Sequence, residues 1–325
     1  MHNRQNALGK WLERLLTPAS FTLQPLAGDA SFRRYFRLYY NDTTQIVMDS
    51  PPDKETIEPF ITIANLLETI GVRTPKIHTL DKNQGFILLD DFGDTLLFNE
   101  LNPETADKLY TTAMQTLINI QSCPASIAEK LPSFDKPFIL SELNLFIEWF
   151  LHAYLKLKLT PQENKLLAET FDWLSHEISL QPRVFIHRDY HSRNIMLLPS
   201  KNELGVIDFQ DAMYGPFTYD LVSLLKDCYI QWPPERVNTW LADFHQQAPV
   251  AKHYNLSDFI RAFDFCGLQR HLKVLGIFSR LHLRDNKPNY LRDLPLTLHY
   301  VMTCLANYEE LNPFYQFMQN RIYLP

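Results

Sequence analysis

Asp189 and Asn194 stand five residues apart in HRDYHSRNIML (187–197), directly after the apolar run Val184-Phe185-Ile186. A further acid, Asp208, closes the apolar run Gly205-Val206-Ile207 in GVIDFQDA (205–212). Two short strands joined by a loop would bring Asn194 and Asp208 to one place. Their side chains offer the hard oxygens that Mg²⁺ prefers. Asp189 opens the loop, where an acceptor hydroxyl could approach. Phosphoryl transfer asks little more of a protein than a metal on the phosphates and a carboxylate that orients the hydroxyl. That is the chemistry these residue types and spacings point to.

The elements that must position these residues fall into two textures. Residues 1–16 read as an amphipathic helix, with Leu8, Trp11, Leu12, Leu15 and Leu16 at helical spacing. Alternating runs at 21–26, 32–40 and 45–49, separated by turns at 28–31 and 41–44, predict an antiparallel meander. Residues 56–70 read as a helix stopped by Gly71, and two strands follow around the DKNQG turn. From about Asn102 the pattern turns helical, through 103–122, 139–158, 162–179 and most of 218–320. The expected organisation is a β-rich N-lobe over 1–92, a linker near Asp91–Gly93, and a larger, mainly helical C-lobe over 93–325, with the ligand site between the lobes.

Composition limits the partners. The chain has 325 residues and a net charge of -6, which argues against a nucleic-acid coat. Its four cysteines, Cys123, Cys228, Cys266 and Cys304, form no C-x-x-C pair, so buried thiols in a reducing compartment are expected. No run approaches the ~18 apolar residues of a membrane span. These features predict a soluble cytoplasmic protein.

The pattern H-x-D-x-x-x-x-N followed by apolar-apolar-D-F resembles the protein-kinase catalytic loop and metal-binding Asp. Three details bring it closer to the aminoglycoside phosphotransferase branch of small-molecule kinases. His191 follows Asp189 by two, DFQDA stands where DFG would, and no A-P-E element follows. TYDLVSLL (218–225) is similar to a motif of that branch whose Asp, here Asp220, steadies the catalytic loop. GDASFRRYFR (28–37), IVMDSPP (46–52), FILLDDFG (86–93), SELNLFIEWFL (141–151) and QRHLKVLGIFSRL (269–281) resemble the bacterial anomeric kinases of N-acetylmuramate and N-acetylglucosamine. The resemblance implies an α+β, protein-kinase-like bilobal fold, ATP and Mg²⁺, and phosphate placed on the C1 hydroxyl of a recycled peptidoglycan amino sugar.

Matching positions inherit roles from that resemblance. Asp189 is the catalytic base, and Asn194 and Asp208 are Mg²⁺ ligands. Gly28, Ala30, Ser31 and Phe32 lie at the nucleotide loop. Leu89, Asp90, Asp91 and Phe92 match the linker that receives adenine. His187 reads as scaffold. One departure stands out: kinases carry a Lys on the third strand for the α/β-phosphates, and here that place holds Met48. Arg33, Arg34 or Arg37 would have to supply the cation, and Arg33 is favoured.

Sugar-reading candidates are Arg188 and His191 beside the base, Glu142, Glu148 and Trp149 in the 139–158 helix, and Asp211. Arg270 and Lys273 share one face of a long helix over 263–284 with Arg280 and Arg284. That face is either solvated or, through Arg270 or Lys273, a reader of the lactyl carboxylate of N-acetylmuramate. The competing functions are an aminoglycoside, choline or ethanolamine kinase, and a nucleotide-binding pseudokinase.

Overall fold

The structure, a computed structural model, describes residues 2–16, 20–26, 32–198 and 203–324. It divides into two compact units, Met1–Leu96 with Ile195–Asp211, and Leu97–Asn194 with Ala212–Pro325. The sequence division at 92/93 had assigned the 195–211 segment to the second part.

The first unit opens with helix α1 (His2–Leu16), then strands β1 (Thr22–Pro25), β2 (Arg34–Tyr40) and β3 (Thr43–Asp49). Helix α2 (Glu58–Thr69) leads to β4 (Ile77–Asp81) and β5 (Phe86–Asp90). The sheet order is β1-β2-β3-β5-β4, antiparallel throughout. Asn41 and Asp42, both at positive φ, close the β2–β3 hairpin in two residues, a conformation that Asn and Asp tolerate. Gly85 (φ +70) is required at the β4–β5 turn, because a Cβ there would collide with the Ser50 carbonyl. Alternation sends Phe36, Leu38, Val47, Phe86 and Leu88 to one core with Leu8, Trp11, Leu12 and Leu16 of α1. Each such large apolar side chain stabilises the unit by about 1.5–3 kcal/mol when fully buried. Arg4 donates to Asp49 (2.6 Å) and to the Gln84 carbonyl (2.6 Å), so a buried acid at the end of β3 anchors α1.

The second unit begins with α3 (Leu97–Glu100), α4 (Ala106–Gln121), α5 (Ala125–Ala128) and α6 (Lys136–Leu145). A π-helix follows at Phe146–Tyr154, then α7 (Pro161–Ser179) and β6 (Arg183–Ile186). Strands β7 (Ile195–Leu197) and β8 (Leu204–Val206) belong to the first unit. The chain then returns through β9 (Met213–Pro216), α8 (Tyr219–Leu225), α9 (Pro234–Gln247), α10 (Leu256–Leu283), α11 (Leu294–Ala306) and α12 (Asn312–Arg321).

Strand β6 pairs with β9, and β8 pairs with β7. Two sequence expectations change here. Residues 139–158 are not one α-helix, because the turn widens at Phe146, where α10 crosses. Gly276 of α10 lies against the backbone at Leu145–Phe146, and a Cβ there would strike the Leu145 carbonyl. Finally, the basic face of α10 is not solvated at its centre, since Arg270 and Lys273 are 4% and 5% exposed.

Candidate active site

The loop after β6 is held in an uncommon backbone conformation. Arg188 has φ +76, a left-handed geometry that costs a bulky residue about 1–3 kcal/mol. Asp220, fully buried at the start of α8, offsets this by accepting from His187 N–H (2.6 Å) and Arg188 N–H (2.9 Å). Burial pushes the Asp220 carboxyl up to about 6, against the opposing pull of His187 and the two N–H donors. Asp227 braces the other end, accepting from Ser192 N–H (3.0 Å) and Ser192 Oγ (2.5 Å). His187 is fully buried, and its Nδ1 accepts from Asp189 N–H (3.3 Å). Tyr190 is tied to the Ala113 carbonyl (2.9 Å). Asn194 Nδ2 donates to the Asp189 carbonyl (3.0 Å), so metal-ligand candidate and base candidate share one rigid loop.

Asp189 projects from this loop with a 41% exposed side chain, beside a buried group of charges. Glu142 lies at its centre. Its Oε1 meets Lys273 Nζ (3.0 Å) and Arg188 (3.0 Å), and its Oε2 accepts from Gln269 Nε2 (2.9 Å). Lys273 also donates to the Tyr219 hydroxyl (3.1 Å). Arg270 stands 3.6 Å from the Asp189 carboxylate. Desolvation alone would push the Asp189 carboxyl up. Lys273 first, then Arg270, His191 and Arg188, outweigh it and hold the group well below the usual carboxylate range. Glu142 is likewise kept ionised, as Lys273 and Arg188 overcome its burial. His191 meets the Tyr229 ring edge-on at 5.4 Å.

Asp208 follows the β7–β8 hairpin and also has positive φ, +63. Because Ile195 pairs with Val206, Asn194 precedes one strand and Asp208 follows the other at the same end of the hairpin. Phe209 is buried against Phe60 of α2 (4.8 Å between rings), and Gln210 Nε2 donates to Asp208 Oδ1 (2.9 Å). These two contacts fix where the acid points. Arg33 is buried, ion-paired with Glu55, and hydrogen-bonded to Tyr35. The Tyr35 hydroxyl is pushed up to about 12, chiefly by burial, with Arg33 opposing and Asp208 adding to the shift. Arg33, Tyr35, Glu55 and Asp208 thus form one electrostatic neighbourhood. Met48 sits opposite Tyr35 in the β2–β3 register, fully buried and without charge. The other two arginines are committed elsewhere: Arg34 to Asp49, and Arg37 to Asp91 (2.6 Å) and Asp94 (2.8 Å).

Along the linker, Leu89 is buried, and Asp90 N–H is bonded to the Lys76 carbonyl (3.0 Å). The Asp90 side chain meets His78 (2.8 Å), and that of Asp91 holds Arg37 and Gly93 N–H (2.9 Å). Both acid side chains are thus held by partners within the first unit. Phe92 packs with Met196 and Leu198, and Gly205 is needed beneath its ring. Phe32 is 64% exposed, while Gly28, Ala30 and Ser31 lie outside the described residues. Glu148 is exposed and lies toward Arg280, Trp149 is half-buried on the π-helix, and Asp211 is exposed.

Sequence reasoning missed Asp227, Gln210, Glu55, Tyr35, Tyr219 and Gln269. Asp227, Glu55, Tyr219 and Gln269 sit far along the chain from the groups they meet, so no local spacing marks them. Gln210 and Tyr35 stand two residues from Asp208 and Arg33, where the spacing alone does not show which way a side chain turns.

Residues 22–254 match the family described as Phosphotransferase enzyme family. The N-acetylmuramate/N-acetylglucosamine kinase of Pseudomonas aeruginosa is 41% identical over 292 residues, 89% of this chain and 85% of its own. The one from Neisseria meningitidis serogroup B is 39% identical over 322 residues, 96% and 94% of the two chains. Among solved structures, the GDP complex of wild-type aminoglycoside 2'-phosphotransferase-IIIa shares the fold, with TM-score 0.64 and 16% identity over 93% of this chain and 98% of its own.

Proposed function

The chain belongs to the phosphotransferase enzyme family, and on that premise we propose that it transfers the terminal phosphoryl group of ATP to the C1 hydroxyl of an N-acetylated amino sugar. The acceptors are N-acetylmuramate and N-acetylglucosamine, the sugars named for its relatives. The observation that carries the reading is the Asp189 loop: an ionised, solvent-reachable carboxylate on a strained backbone clamped by Asp220 and Asp227.

Asp189 receives the acceptor hydroxyl. Held so far below the usual range, it is a weak base, so its main work is orientation. It takes the proton late, as the new P–O bond makes that hydroxyl acidic. The donor set suits Mg²⁺, which uses one or two protein oxygens and completes its shell with phosphate and water. Asn194 and Asp208 would hold it, and it would neutralise the phosphate oxygens. Arg33, kept in place by Glu55 and Tyr35, supplies the cation that Met48 cannot.

Choline, ethanolamine and aminoglycosides are cations. The buried cluster sets Arg188, Arg270 and Lys273 against Asp189 and Glu142, an excess of positive charge that disfavours them. The intact Asp189, Asn194 and Asp208 argue against a pseudokinase.

The test is ADP release with Mg²⁺ and ATP across N-acetylmuramate, N-acetylglucosamine, glucose, an aminoglycoside and choline, with product linkage read by ³¹P–¹H NMR. Phosphate coupled to H1 of an N-acetyl sugar is expected. Asp189→Asn should lower kcat by ~10²–10⁴-fold while ATP affinity is kept. Turnover of choline or an aminoglycoside alone would reject the proposed acceptor.

A further inference from the structure

Lys273 and Arg270 are neighbours on α10 and equally buried, yet they are in different states. Lys273 is spent on Glu142 and the Tyr219 hydroxyl. Arg188 is spent on Glu142 and lies over the Phe138 ring, 5.2 Å from its centroid. The Arg270 guanidinium makes no hydrogen bond among the described residues. It lies 5.7 Å over the Tyr219 ring, and its closest acid is Asp189, 3.6 Å away. A guanidinium carries five donors in a planar fork, and those of Arg270 are not taken up by a side chain or carbonyl of the described residues. Asp189, the acid nearest to it, is 41% exposed, so a ligand that reaches Asp189 comes within reach of these donors.

We propose that Arg270 reads the charge of the acceptor, its planar fork taking the carboxylate of an acidic N-acetylated sugar while Asp189 holds the hydroxyl that reacts. This rests on the amino-sugar kinase reading and separates the two sugars within it. N-acetylmuramate carries a carboxylate on its ether arm, and N-acetylglucosamine does not. A bidentate pair with a carboxylate is stronger and more directional than the long contact Arg270 now makes. The same donors could instead serve the phosphoryl group in transit, a different anion at the same place.

The experiment compares N-acetylmuramate, its methyl ester and N-acetylglucosamine on the wild type, Arg270→Gln and Arg270→Lys, by steady-state kinetics and by calorimetric binding. The wild type should prefer acid to ester by at least ~30-fold, and Arg270→Gln should erase that preference. The muramate-to-glucosamine ratio of kcat/KM should fall by the same factor in Arg270→Gln and partly recover in Arg270→Lys. Equal losses on all three compounds would overturn the proposal in favour of a role on Asp189 or on the phosphoryl group. Equal binding of acid and ester by the wild type, a comparison that needs no variant, would also overturn it. A wild type that phosphorylates an unrelated acceptor, and neither sugar, would instead sink the functional reading, and binding of the acid over the ester would still decide Arg270.

Discussion

Arg33, proposed to supply the cation that a kinase keeps on its third strand, instead precedes β2. Its carboxylate partner, Glu55, precedes α2. Met48 on β3 is sealed in the core and carries no charge. Arg33→Ala should therefore raise the KM for ATP about tenfold or more, the cost of a lost charge-assisted bond. Glu55→Gln should give a smaller change, because the cation survives while its anchor weakens. ATP titrations of both variants check this, and an unchanged KM in Arg33→Ala would remove it from the phosphates. The sequence showed that a cation was missing and named three candidates. It could not choose among them, because the choice depends on which acid each arginine meets: Asp49 for Arg34, Asp91 and Asp94 for Arg37, and Glu55 for Arg33.

At the scale of elements, α10 organises the second unit. Its 28 residues carry Gln269, Arg270 and Lys273 into the charge cluster, and its Gly276 admits the backbone of the α6–π-helix junction. The wide π-turn and the glycine belong together, since neither helix could shift without opening the contact. Gly276→Val should destabilise the protein by about 1–3 kcal/mol, as overpacking does when backbone cannot give way. Urea unfolding would measure it, and a neutral result would mean that the crossing is loose. The sequence showed a long helix here and placed Arg270 and Lys273 on one face. It did not show that the face was buried, because lysine and arginine read as solvent-facing until a buried partner such as Glu142 is found.

For the whole molecule, acid sensitivity has an identifiable source. His271 is buried, stacked on Tyr300 (4.9 Å), and its Nε2 meets the Lys226 carbonyl (2.9 Å). Burial lowers its pKa to about 3. The unfolded chain binds a proton near 6.5, which the folded state refuses until much lower pH. The contribution of His271 to stability is therefore complete above pH 6.5 and is lost as pH falls from there toward 3. His271→Gln should flatten the fall of unfolding free energy between pH 6.5 and 4 by up to one proton's slope. Parallel curves for wild type and variant would show that His271 is not the group responsible.

By itself the sequence determined the chemistry and the strand–helix order, since Asp189, Asn194 and Asp208 sit in short motifs and the periodicities of 1–90 are local. Only tertiary structure decided what holds those motifs. Asp220 and Asp227 lie more than thirty residues from the N–H groups they clamp. The chain crosses to the first unit for 195–211 and back again. Hydrogen bonds and ion pairs act over a few ångströms of space and are indifferent to chain separation. The support of an active loop is therefore written in contacts that no local pattern records.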